Sequence, residues 1–86
     1  MSQQRLRETL AELRRELAST DAADDEARER VQQAARELDA WLERAEPPGE
    51  SLPDRLREAV VRFEEEHPRL SATLQRVVDA LSDLGI

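Results

Sequence analysis

Glu64 and His67 stand three residues apart, a spacing that on a helix puts a carboxylate and an imidazole on one face. A Glu-x-x-His unit of this kind holds metal in carboxylate-bridged helical bundles, provided that other helices turn further glutamates inward. Glu12, Glu16 and Glu37 are available, but they flank the apolar stripes of their segments and do not interrupt them. His67 is the only histidine and directly precedes Pro68, which disfavours helical geometry at the residue before it. The pair therefore reads first as a structural cap or hinge, with Glu64 and His67 kept as the candidate metal ligands of an alternative, metal-binding function. Nothing else in the sequence points to catalysis. Cysteine is absent, no glycine-rich phosphate loop is present, and the lone histidine has no evident orienting partner. The expectation is a protein that is not an enzyme and carries no cofactor.

Eighty-six residues allow one small domain, residues 1–86. Of 33 hydrophobic residues 12 are alanine and one is Met1, which leaves 20 larger apolar side chains for the whole core. Two aromatics and no cysteine argue against a β-sandwich and against a disulfide scaffold. The charged residues are 13 arginines, no lysine and 20 carboxylates, for a net charge of −7. Arginine favours planar, bidentate pairing with carboxylates. Because carboxylates are interleaved among the arginines throughout, neither nucleic acid nor an anionic membrane is an expected partner. The longest apolar runs, Ala40-Trp41-Leu42 and Ala59-Val60-Val61, fall far short of the roughly twenty residues of a membrane span. The first ten residues are too polar for a signal peptide, so a soluble, cytoplasmic protein is expected.

Four segments carry helical periodicity. The first, about 3–18, bears Leu6, Leu10, Leu13 and Leu17 at steps of four, three and four, a narrow seam of the coiled-coil type. The second, about 24–45, opens with Asp21, Asp24, Asp25 and Glu26 near the positive end of its dipole. Its stripe runs Ala27, Val31, Ala34, Leu38, then Trp41 or Leu42, and Ala45, with Asp24–Arg28 and Glu26–Arg30 as flanking pairs. Pro47-Pro48-Gly49 breaks the pattern, and Gly49 is the residue expected to reverse the backbone. The third segment, about 52–66, should be capped by Ser51 with Asp54 completing a capping box. Glu64-Glu65-Glu66 at its end oppose the helix dipole, so a kink or break is expected at His67-Pro68. The fourth, about 68–84, has Leu70, Leu74, Val77, Leu81 and Leu84, then Gly85 as a fitting terminator.

The leucine spacing of the first segment, the stretch Phe63-Glu64-Glu65-Glu66-His67-Pro68-Arg69-Leu70 and the ending Ala80-Leu81-Ser82-Asp83-Leu84-Gly85-Ile86 together resemble a small bacterial family known as domain of unknown function 4404. The Phe-Glu-x-x-His-Pro stretch is the most specific part, and the resemblance covers nearly the whole chain. It implies a helical protein and brings no activity, cofactor or catalytic residue.

These features predict an all-α fold of three or four helices: an N-terminal antiparallel hairpin followed by a helix kinked or broken at Pro68. Twenty large apolar groups are few for four segments, and narrow seams suit self-association. The expected function is that of a non-catalytic helical interaction or scaffold protein. It would form a homo-oligomer, most simply a dimer, and could also bind another protein. The interface would comprise Leu6, Leu10, Leu13, Leu17, Trp41, Leu70, Leu74, Val77 and Leu81.

Overall fold

The computed structural model describes residues 2–19, 25–49 and 51–85. Each periodic segment forms a helix: α1 (Ser2–Ser19), α2 (Asp25–Arg44), α3 (Leu52–Phe63) and α4 (Pro68–Asp83), with no strand among the described residues. The acidic start at Asp21 and Asp24, the Asp24–Arg28 pair and the side-chain cap of α1 lie outside the described residues. The Glu26–Arg30 pair is present at 2.8 Å.

Cross-helix polar contacts fix the directions. Arg5 meets Asp83 at 2.7 Å and Arg76 meets Glu12 at 2.7 Å, so α1 and α4 run antiparallel. Arg14 pairs with Asp39 while Arg7 donates to the Leu42 carbonyl at 3.2 Å, which sets α1 against α2 in the same sense. Glu37 pairs with Arg55 at 2.8 Å and Arg30 reaches Glu58 at 3.7 Å, which does so for α2 and α3. The helices thus alternate up and down around one core. Each packs on two neighbours, and the backbones of the diagonal pairs stay farther apart across the core. The long dimension, 33 Å, is close to the length of the 20-residue α2 at 1.5 Å per residue.

α3 is shorter than its periodicity suggests. It stops at Phe63, and Glu64–Glu66 form a turn in which Glu64 N–H donates to the Val61 carbonyl at 3.3 Å. Three carboxylates at the negative end of a dipole and a following proline both oppose another helical turn. The carbonyls freed at this end find other donors. His67 N–H donates to the Phe63 carbonyl at 2.8 Å, and the buried Ser71 hydroxyl to the Val60 carbonyl at 2.7 Å. The junction is therefore a full break.

The α2–α3 connector departs from expectation at two points. Ser51 caps α3 with its backbone carbonyl, which accepts from Arg55 N–H at 2.9 Å, and its side chain makes no cap bond. Asp54 turns instead to Arg57 at 3.3 Å. The reversed backbone falls on Ala45, with φ of 55°, and not on Gly49. Ala45 N–H donates to the Trp41 carbonyl at 3.0 Å, the left-handed termination that glycine normally supplies. Since Ala45 is exposed, nothing is lost by removing its methyl group. Ala45→Gly should relieve the left-handed strain and stabilise the fold by about 0.5–1 kcal/mol net of glycine's greater chain entropy. A thermal melt raised by roughly 3–6 °C checks this, and an unchanged or lowered midpoint would contradict it. Gly85, with φ of +82°, ends α4 as expected.

Candidate functional site

The metal candidates do not come together as ligands. Because α3 ends at Phe63, Glu64 and His67 share no helical face. Glu64 is exposed in the turn, while the His67 backbone, at φ −137° and ψ 69°, is the non-helical residue before α4. The imidazole is half-buried against the Phe63 ring, with centroids 5.9 Å apart and planes tilted by 58°. It makes no side-chain cap bond, so its structural role is packing. Among the described residues no three His, Asp or Glu side chains are grouped to hold a metal ion. His67→Ala should cost about 1 kcal/mol, the worth of an aromatic edge contact, and leave metal content unchanged. Stoichiometric iron or zinc in the wild type that vanishes in the variant would overturn this assignment.

The interface candidates lie inside the chain. Leu6, Leu10, Leu13, Leu17, Leu70, Leu74, Val77 and Leu81 are each at most 4% exposed and belong to one core with Val31, Leu38, Leu52, Leu56 and Phe63. Each seam faces its neighbours in the same bundle, so the side chains expected at a surface between copies are packed in the chain's own core. Alanines supply what the count of large side chains omitted. Ala34 and Ala80 are fully buried, and Ala27, Ala35 and Ala59 nearly so, letting helices close on fewer bulky groups. Trp41 is half-buried at the end of α2, packed against the core together with Leu42, Val60 and Leu84. Val61, 71% exposed, is the one large apolar side chain fully open to solvent among the described residues, and a single such residue is no patch.

Glu12 and Glu37, considered above as metal carboxylates, are held by arginines. Arg76 donates to Glu12 and, at 3.1 Å, to the buried Thr73 hydroxyl, holding the Glu12 carboxyl below its ordinary value mainly through that ion-pair hydrogen bond. Arg55 grips both oxygens of Glu37 at 2.8 Å, and Gly49 N–H adds a third bond at 3.1 Å. The Glu37 carboxyl is likewise depressed, first by Arg55 and also by the Gly49 amide, against an opposing effect of burial. Gly49 is accordingly a close-approach position. A Cβ there would stand 3.3 Å from both Glu37 Oε1 and Arg55 Nη2.

The feature that the stripes do not announce is the outer seam between α1 and α2. Two adjoining clefts of about 370 and 210 Å³ share Arg14 and run along this seam. Arg28, Gln32 and Arg36 form one wall of the larger cleft, at steps of four along α2. Arg14 and Ala18 of α1 face them, over a floor of Leu17 and Ala35. The smaller cleft continues between Arg7 and Ala11 on one side and Asp39, Leu42 and Glu43 on the other. Arg28 makes no ion pair among the described residues, and its Nε is buried without a hydrogen-bond partner. The step-of-four row was visible in the sequence. That it confronts small residues of α1 depends on the register of the hairpin.

No described helix is long and apolar enough to cross a membrane. Neither a curated protein nor a solved structure matches the chain. The chain does match a family over residues 6–86, which include the Phe63–Leu70 stretch and all four apolar stripes, and it belongs to that family, the Domain of unknown function (DUF4404).

Proposed function

We propose that this chain is a non-catalytic, cytoplasmic helical interaction protein that works through the outer faces of a preformed bundle. The observation that supports the reading is the division of labour between residues. Every leucine stripe is spent on the chain's own core, while the α1–α2 seam keeps two arginine-lined clefts beside its Arg14–Asp39 bridge. A rigid bundle presents side chains at fixed spacing without an ordering cost on binding. Self-association belongs to the same reading only through polar outer faces, because no leucine stripe remains for a second copy to cover.

The test is affinity capture from the native host, with light scattering after size exclusion on the purified chain at low and high salt. A stoichiometric protein partner, or a dimer that dissociates as salt rises, is the expected result for contacts made by charged faces. A chain that captures no protein at stoichiometric level, stays one chain in mass, and instead binds metal or turns over a substrate would refute the proposal.

A further inference from the structure

We propose that the α1–α2 seam receives an acidic amphipathic helix from a partner protein, an assignment that rests on the interaction reading above. Among the described residues the seam is bridged by the Arg14–Asp39 ion pair and by Arg7 on the Leu42 carbonyl, and the larger cleft opens beyond the Arg14–Asp39 bridge toward Ala18. On the α1–α2 side, Ala11 and Ala18 are exposed and small, so a third helix can approach the backbone closely over the buried Leu17 and Ala35. This is the geometry of a helix laid in a groove.

Charge selects the occupant. Arg7, Arg14, Arg28 and Arg36 border the seam against Asp39 and Glu43, a local excess of two positive charges in a chain of net −7. Arg14 is already engaged by Asp39, and Arg7 by the Leu42 carbonyl. Arg36 hydrogen-bonds only an uncharged group, Gln33, at 3.2 Å, and Arg28 pairs with nothing among the described residues. Of the seam's arginines only Arg14 holds a carboxylate among the described residues, and Arg28 and Arg36 stand eight residues apart on α2, about 12 Å along the helix. Carboxylates two turns apart on a docked helix match that separation, and its apolar face would cover the alanines. A nucleic acid fits worse. Asp39 and Glu43 would repel a continuous polyanion at one end of the seam, and the net charge would oppose it everywhere.

The experiment titrates the isotope-labelled full chain with a synthetic helical peptide. The peptide bears glutamates at helix positions i, i+4 and i+8 beside a leucine–alanine stripe, and a control carries glutamine in their place. Saturable, salt-sensitive amide shifts confined to α1 and α2, around Ala11, Ala18 and Gln32, are expected. Affinity should fall at least about tenfold for the glutamine peptide and for the Arg28→Gln/Arg36→Gln chain, whose circular dichroism and melting should match wild type. Shifts centred on α3 and α4, binding indifferent to these substitutions, no binding, or displacement by a DNA duplex from the same amides would each overturn the assignment. If a stoichiometric host partner is still captured by Arg28→Gln/Arg36→Gln, the seam assignment fails while the interaction reading stands.

Discussion

Leu74→Glu is expected to yield an unfolded chain, not a folded monomer released from an assembly. Leu74 is 0% exposed and sits in α4, the helix that packs on both α1 and α3. A domain of this size has a total stability of only about 4–13 kcal/mol. Truncation to alanine alone removes roughly 2–5 kcal/mol through lost transfer energy and the cavity left behind. A carboxylate at the same place adds an unpaired buried charge. Circular dichroism should lose its helical signature in Leu74→Glu, while Leu74→Ala should keep it and melt some 10–20 °C lower. Leu13, also 0% exposed, should behave in the same way. If Leu74→Glu instead remained helical and merely changed its mass from two chains to one, the leucine stripe would be an interface after all.

Glu37→Ala should be the most costly substitution of a charged residue, at about 2 kcal/mol. The carboxylate accepts three hydrogen bonds, two of them charge-assisted, and it lies largely covered beside a connector that has few other ties. Its removal leaves the half-buried Arg55 guanidinium without its partner and frees the Gly49 amide. Gly49→Ala should weaken the same clamp from the other side, because the added methyl presses on both partners at 3.3 Å. The sign of the pH effect follows from the depressed carboxyl. The unfolded chain takes up a proton near the ordinary value of 4.5, whereas the folded chain resists doing so until lower pH. The stabilisation is therefore fully present above about pH 4.5 and is lost as pH falls through the folded value. Denaturant unfolding at pH 7 and at pH 3.5 should show a larger loss for wild type than for Glu37→Ala, and equal losses would refute the clamp.

The helices and their inward faces were readable from the chain because leucine spacing, the break at His67-Pro68 and the final glycine all speak locally. What the stripes face was not readable. A seam such as Leu6–Leu17 serves a neighbour in the same chain and a second copy equally well, and only the register of four helices decides between them. Counting large side chains also missed Ala34, Ala80 and Thr73, whose small volumes let the core close. The exchange of roles between Ala45 and Gly49 is tertiary for the same reason. Glu37 and Arg55 draw Gly49 in close, so the reversal of the chain is displaced to the end of α2. The arginine-walled seam needed the same register, since Arg28 and Arg36 reveal their neighbours only when α1 is laid beside them.

The Arg5–Asp83 pair brings the beginning of the first helix alongside the end of the last. A short linker from α4 to α1 would therefore span little distance, and the chain could be reopened in the exposed connector between α2 and α3 as a circular permutant. In the natural order, docking α1 on α4 closes a loop of nearly the whole chain, so this contact is the most distant in sequence. In the permutant it becomes a hairpin between consecutive helices. Lower contact order should then make the rearranged bundle fold faster than the natural one, with the same core.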